Sequence, residues 1–286
     1  MRFALFPNLS KSSSLAIALE ISKYLHKQGA QVVTEDEKAA ILGIPPLSSI
    51  PPHEVDILIS LGGDGTILRI IHAHPEFEAP IMGINLGSLG FMADVRIEEK
   101  FKALDRILEG QFSIHERIMV EGKTNHSPWH FAINEIVIHR AKNPSLIDLS
   151  IAIDGVYLNT FSADGLIIST PNGSTAYSLA AGGPILTPDL QALVITPICP
   201  HTISNRPIVV GCNQKIKINY ENSTDLIEVT YDGFSMQKMG SSESIEIRPS
   251  SRRFRLVTFK ENDFFSTLRT KLGWTGQAKS LSLEPI

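Results

Sequence analysis

Cysteine is scarce. The 286 residues hold two, Cys199 and Cys212. They form neither a C-x-x-C pair nor a disulfide framework. Cys199 stands two residues before His201, but no second ligand pair follows, so the spacing speaks against a zinc site. Both thiols read as packed residues of a reducing compartment. A basic excess is also missing: 26 Lys and Arg stand against 30 Asp and Glu, for a net charge of −4 and an isoelectric point near 6.1. That leaves no electrostatic footprint for nucleic acid. No apolar run approaches membrane-spanning length, which removes the membrane as a partner. Ala4-Leu5-Phe6 is cut short by Pro7 and Asn8, so no signal peptide is expected and the chain is assigned to the cytoplasm. There is no repeat of solenoid length and no low-complexity segment.

What the chain does have is centred on Ile57-Leu-Ile-Ser-Leu-Gly-Gly-Asp-Gly-Thr66. Apolar residues broken only by Ser60 read as a buried strand, which stops at Gly62 and Gly63, presents Asp64, adds Gly65 and opens a helix at Thr66. Glycines at a strand-to-helix turn let bare N–H groups approach a ligand, and the positive end of the helix suits phosphate. Gly62, Gly63, Gly65 and Thr66 are therefore assigned to a phosphate loop. A carboxylate in an anion-binding loop costs free energy unless a proton or metal is handled there, so Asp64 reads as a working group. The bland alternative is a simple turn.

At 286 residues the chain is long for one core, and two domains are expected. Residues 1–111 alternate strand and helix: a strand at Arg2–Phe6, a helix with Leu15, Ala18, Leu19 and Leu25 on one stripe closed by Gly29, a strand at Gln31–Thr34, a loop from Pro45 to Pro52, the glycine turn, a strand at Pro80–Asn85, and an amphipathic helix from Ile97 to Glu109. Such alternation argues a parallel sheet covered by helices, with ligands beyond the C-terminal strand ends. From 112 to 258 the apolar period becomes two, as in Ile147, Leu149, Ile151 and Ile153, with Asp154-Gly155 and Asp232-Gly233 as hairpin signals. This predicts an antiparallel β-rich domain. In 259–286, Phe264, Phe265, Leu268 and Leu272 form the apolar face of a short helix expected to return to the first domain.

A second stretch with its own composition runs from Ser162 to Pro184. A strand leads into Pro171-Asn-Gly173 and a slim, small-residue helix capped by Ser174 or Asn172, containing Thr175, Ala176, Tyr177, Ser178 and Ala180. An adenine ring could lie against such a helix, and Tyr177 offers an aromatic face and a hydroxyl. Tight packing on a sheet would equally require these small residues. Asn134-Glu135 opens another strand; alone, the pair reads as a solvated strand start.

Taken together, Gly62-Gly63-Asp64-Gly65-Thr66, Asn85-Leu-Gly-Ser-Leu-Gly-Phe91, Asn134-Glu135, Asp164-Gly165 through Gly183-Pro184, Cys199-Pro-His201 with Arg206-Pro207, and Leu268-Arg-Thr-Lys-Leu-Gly-Trp274 resemble the NAD kinase family, in the family's order and across nearly the whole chain. The glycine loop alone would also fit lipid kinases of the diacylglycerol type and phosphofructokinases. The resemblance implies an α/β domain (1–111), a β-rich NAD-binding domain (112–258) and a C-terminal segment (259–286). It implies transfer of the γ-phosphoryl of ATP, or of polyphosphate, to the 2′-hydroxyl of the adenosine ribose of NAD. Mg²⁺ or another divalent cation would arrive mainly on the nucleotide, with few protein ligands and no dedicated metal residues named, and the protein would be a homo-oligomer, dimer or tetramer. By position it makes Asp64 the proton acceptor, and Asp64, Gly65, Phe91, Asn134, Glu135, Asp164, Asn172, Thr175, Ala176 and Tyr177 the NAD contacts. Three positions depart from the family's pattern: Asn172 stands where most members have Thr or Ser, Ser88 where the family often has His, and Phe234 in a place often held by Gln. From the residues alone, a lipid or sugar kinase with the same loop and a nucleotide-binding sensor without turnover remain alternatives.

Overall fold

The computed structural model describes residues 1–87, 89–202, 204–221, 225–260 and 263–274; the departure at Ser88 and the chain beyond Trp274 lie outside the described residues. The chain divides into two compact units, Met1–Ile114 together with Leu256 onward, and His115–Arg255.

The first unit opens with β1 (Arg2–Pro7), α1 (Ser14–Lys27), β2 (Gln31–Thr34), α2 (Asp36–Leu42), β3 (Ile57–Gly62), α3 (Asp64–Ala73), β4 (Ile81–Asn85), β5 (Val95–Arg96) and α4 (Lys100–Leu108). Its strands lie in the order β2-β1-β3-β4, with β5 beyond β4, and every pairing is parallel. β1, β3 and β4 are near-continuous apolar runs because both faces of the sheet are covered. One core gathers Phe3, Leu5 and Ile59 from the strands with Ile21, Leu25, Leu104 and Ile107 from the helices. The parallel alternation brings the ends of β3 and β4 to one edge, with Gly62 opposite Asn85 in the register.

Several local expectations shift. α1 buries Ile17, Ala18, Ile21 and Leu25, while Leu15 points outward at 36% exposure. The helix is thus rotated from the expected stripe, because Ile17 and Ile21 outcompete Leu15 for the sheet. α2 was not foreseen, since seven residues give too few turns to show a period. The expected helix from Ile97 to Glu109 is a 3₁₀ turn at Ile97–Glu99 followed by α4, and Leu47–Ser49 and Pro52–Glu54 form similar turns in the expected loop. Gly29 and Gly110 close α1 and α4 with φ of 76° and 72°.

The second unit is antiparallel. Its strands are β6 (Ser113–Thr124), β7 (His130–Ala132), β8 (Glu135–His139), β9 (Ile147–Ile153), β10 (Val156–Ala163) and β11 (Gly165–Ser169). After the short α5 (Tyr177–Ala180) come β12 (Ala192–Ile198), β13 (Ile208–Gly211), β14 (Ile216–Tyr220), β15 (Ile227–Tyr231), β16 (Ser235–Met239) and β17 (Ser244–Thr258). One layer runs β10-β9-β14-β17, the other β13-β12-β11-β8-β15-β16. Their inner faces share a core in which Leu149, Ile151, Ile216 and Ile218 meet Ile136, Ile138, Leu166, Ile168 and Val229. Asp154-Gly155 makes the expected hairpin, with φ of 50° and 82°. Val137 and Ile167 point the other way, to the outer face of the six-stranded layer, where Ala181 at the end of α5 packs.

The end of β17 returns the chain to the first unit, where Leu256 pairs with Ile81. There α6 (Phe264–Leu272) is capped by Asp263, whose Oδ1 accepts from the Ser266 amide at 2.8 Å, and stopped by Gly273. Phe264 packs 5.8 Å from the ring of Phe91 and Leu268 is buried. The C-terminal helix thus returns to the first domain, although Phe265 lies outside the apolar face at 57% exposure.

Candidate active site

In the first unit the glycine turn is shorter than expected. α3 begins at Asp64 rather than Thr66, with Gly63 at the N-cap in extended geometry. The reason is packing: Thr66 folds back against Gly62, where a Cβ would stand 2.2 Å from Thr66 Oγ1. Asp64 therefore sits in the first helical turn, beside amides that have no i−4 carbonyl within the helix. Gly65 next to it is exposed, with open space where a side chain would be.

The Asp64 carboxylate is fixed by the loop after β4. Oδ2 accepts from the Phe91 amide at 2.9 Å, and Oδ1 from the Met92 and Ala93 amides at 3.0 and 2.9 Å. Oδ1 is thus doubly engaged, while Oδ2 carries one bond and keeps acceptor capacity. Asn85 braces the same loop, accepting from the Gly87 amide at 2.7 Å and donating to the Ala93 carbonyl at 3.2 Å. Gly90 makes room: a Cβ there would stand 2.0 Å from Asp64 Oδ1. Gly62, Gly63, Asp64, Gly65, Thr66 and Phe91 are one cluster.

In the second unit a second clamp has the same form. Asp232, on the turn between β15 and β16, accepts from three consecutive amides, those of Ile133, Asn134 and Glu135, at 2.7, 2.7 and 3.1 Å. The strand start is therefore not solvated: Asn134 and Glu135 are each 8% exposed. Asn172 joins them. Its Nδ2 donates to Asn134 Oδ1 at 2.5 Å and its Oδ1 accepts from the Arg117 guanidinium. Thr170 bonds the Ile133 carbonyl at 2.6 Å through its hydroxyl and the Asn134 carbonyl at 2.8 Å through its amide. Glu135 Oε2 is buried with no hydrogen-bond partner among the described residues. Burial, with the Asp232 carboxylate as a second cause, pushes the Glu135 carboxyl up to about 8.

The small-residue helix is broken. Gly173–Thr175 is a 3₁₀ turn, Ala176 leaves helical geometry (φ −108°, ψ −125°), and α5 is a single turn. Neither Ser174 nor Asn172 caps it: Ser174 Oγ bonds the Pro171 carbonyl at 2.7 Å, and Asn172 spends its amide on Asn134 and Arg117. The small residues are required by close approach, since a Cβ on Gly173 would stand 2.3 Å from the Asn134 carbonyl oxygen. Thr175 Oγ1 donates back to the Asn172 carbonyl at 3.1 Å, and Tyr177 is exposed. Asp164 is held apart, ion-paired to Arg140 at 2.7 Å. In the register Gly165 lies opposite His139 and Ser169 opposite Glu135, so the five residues of β11, about 16 Å of strand, separate Asp164 from the Asn134–Glu135–Asn172 group. Of the two cysteines Cys212 is packed as expected, but Cys199 is exposed, in the left-handed region with φ of 45°.

Residues 3–112 match the family model described as the ATP-NAD kinase N-terminal domain, and residues 133–259 the ATP-NAD kinase C-terminal domain. The chain belongs to the NAD kinase family. An NAD kinase of Protochlamydia amoebophila is 54% identical over 276 residues, covering 96% of this chain and 99% of that one. One from Geotalea daltonii is 37% identical over 279 residues, covering 96% and 98%. Among solved structures, yeast NADH kinase complexed with NADH is similar with a TM-score of 0.86 and 26% identity over 100% of this chain and 90% of that one. An NAD kinase from Archaeoglobus fulgidus in complex with ATP follows with a TM-score of 0.75 and 27% identity, covering 94% and 99%. The N-terminal match of this NAD kinase family member contains the Asp64 cluster, and the C-terminal match contains the Asn134–Glu135–Asn172 cluster. Asn85, Gly90, Arg117 and Asp232 also build these clusters, although none was expected as a site residue. Asn85 and Gly90 lie in the motif that ends at Phe91, Asp232 in a hairpin signal, and Arg117 stands as a cation in front of the apolar Ile118-Met-Val120 of β6.

Proposed function

We propose that this chain transfers the γ-phosphoryl group of ATP to the 2′-hydroxyl of the adenosine ribose of NAD, giving NADP. The observation that carries the reading is the Asp64 carboxylate, fixed at the head of α3 by three amides with Oδ2 still able to accept. A sugar hydroxyl is a poor nucleophile; a carboxylate oxygen aimed at it takes its proton as the new P–O bond forms, worth about 10²–10⁴ in rate. Phosphoryl transfer otherwise rests on alignment and charge neutralisation. The amides of the first turn of α3, with Gly62, Gly63, Gly65 and Thr66 around them, suit the donor's phosphates. The divalent cation is treated as part of the substrate, Mg²⁺ on ATP, an ion that keeps most of its ligands as water and phosphate oxygens and takes few from protein.

The NAD contacts proposed in the first unit are Asp64, Gly65 and Phe91. Those in the second are Asn134 and Glu135 for ribose hydroxyls, and Asn172, Thr175, Ala176 and Tyr177 for the adenosine part. Asp164, a strand's length from that group, is proposed as a contact for the nicotinamide end. A homo-oligomer in the cytoplasm is part of the same reading. β10 is an edge strand of its layer with Val156 and Tyr157 72% and 65% exposed, a surface suited to another copy of the chain.

Purified protein with NAD, ATP and Mg²⁺ should form NADP, read through an NADP-specific dehydrogenase. No NADP under these conditions would reject the reading.

A further inference from the structure

Glu135 stands out among the buried ionisable groups. It is 8% exposed, its Oε2 has no hydrogen-bond partner among the described residues, and its own amide is tied to the Asp232 carboxylate at 3.1 Å. A buried ionised carboxylate with an unused oxygen is costly. The surroundings do not relieve the cost. On one side, the turn after β15 presents the like charge of Asp232. On the other, β11 places the neutral Ser169 opposite in register, and the Ser169 hydroxyl is spent on the Thr170 carbonyl at 2.9 Å. The Tyr231 hydroxyl of β15 has its one proton shared between the Gly122 carbonyl and Gln237 Oε1, and the Arg117 guanidinium of β6 is engaged with Asn172. The carboxyl is therefore stable here in its neutral form, until a donor reaches Oε2.

We propose that Glu135 holds a proton in the ligand-free protein and releases it when the hydroxyls of a ribose diol donate to its carboxylate, so that dinucleotide binding is coupled to proton release. The inference rests on the reading of Glu135 as an NAD contact. The balance is simple: the carboxyl O–H bond breaks, two hydroxyl-to-carboxylate hydrogen bonds form, and the proton leaves to buffer. Since the carboxyl titrates at about 8, it is mostly protonated at pH 7.

NAD titrated calorimetrically into the full-length protein at pH 7, in phosphate and in Tris, should give a binding enthalpy that depends on buffer by close to one released proton per site. The dependence should shrink toward zero by pH 9.5. In Glu135→Gln, where NAD binds more weakly through the contacts that remain, it should be absent. A second reading needs no variant: the carbonyl stretch of a protonated carboxyl in infrared difference spectra should disappear on adding NAD. Binding with no buffer dependence at pH 7 would overturn the proposal, and so would the same dependence persisting in Glu135→Gln. NADP formation is measured on the same protein. If turnover is normal and proton release is missing, this inference fails and the kinase reading stands; if NAD neither binds nor reacts, both fail.

Discussion

Gly90→Ala tests the active-site geometry with the smallest possible change. The added methyl would arrive 2.0 Å from Asp64 Oδ1, 2.7 Å from Cγ and 2.9 Å from Oδ2, all well inside contact distance. The obstructing atoms are the end of a side chain, not backbone, so the carboxylate swings away and the loop keeps its path. The swing gives up three amide-to-carboxylate bonds and moves the oxygen assigned to the ribose hydroxyl. The freed carboxylate is rehydrated, so the folding cost stays at about 1–3 kcal/mol, a melting shift of several degrees. Turnover suffers far more: kcat should fall by about 10²–10⁴, because the acceptor is no longer aligned. The assay is kcat and KM for NAD by coupled NADP detection, beside a thermal melt. Gly87→Ala is the control in the same loop. A Cβ there meets only Asn85 Oδ1 at 3.9 Å, so activity should stay within about two-fold, as at other surface sites away from close contacts. The double variant with Asp64→Asn should be no slower than Asp64→Asn alone, since both remove one group. Gly90→Ala with near-normal kcat, or multiplicative losses in the double variant, would refute the clamp as the source of alignment.

Other expectations are as direct. Asp64→Asn should lower kcat by about two decades or more while NAD affinity stays within a few-fold; unchanged turnover in steady-state assays would remove the base assignment. Glu135 should make stability pH-dependent in a definite sense. Its folded value of about 8 lies above its ordinary 4.5, so between these the folded state binds the extra proton and stability falls as pH rises. Denaturant midpoints should drop by an amount equivalent to a few kcal/mol from pH 5 to 8, and Glu135→Gln should flatten that slope. Asn172→Ala deletes the link between Asn134 and Arg117 and should cost about 1–3 kcal/mol in chemical denaturation. Its KM for NAD should rise more than its kcat falls.

The architecture was legible because its signals are periodic. β1, β3 and β4 are apolar throughout, which marks strands buried on both faces, and Ile147 to Ile153 alternates, which marks strands buried on one. Short elements with a single turn or an unclear stripe, α2 and α5, carry no period long enough to read. In the clusters, the sequence showed which residues bear chemistry but not what they grip. Asp64 stood out as a carboxylate among glycines, yet nothing near it points to the amides of residues 91–93 as its partners. Asn172 marked itself as a departure from its family, and the structure supplies the reason: a primary amide spans Asn134 and Arg117 with a donor and an acceptor, which one hydroxyl of Thr or Ser lacks the reach to do.

The two clamps share one physical logic. Asp64 and Asp232 each take three backbone amides, the first from the loop after β4 and the second from the bend that leads into β8, 27–29 and 97–99 residues away in sequence. An amide in a loop must find an acceptor when it is buried, and a carboxylate has capacity for several. Each carboxylate therefore removes three unsatisfied donors and fixes the stretch that carries a proposed ligand contact, Phe91 in one case and Asn134 with Glu135 in the other. Asp232 also sets a negative charge beside Glu135, which favours its neutral form. The same type of group thus aligns a proposed proton acceptor in one unit and stabilises a proton on its neighbour in the other. The difference lies in what the clamp leaves exposed: Oδ2 of Asp64 itself in the first, the side chain of the clamped residue in the second.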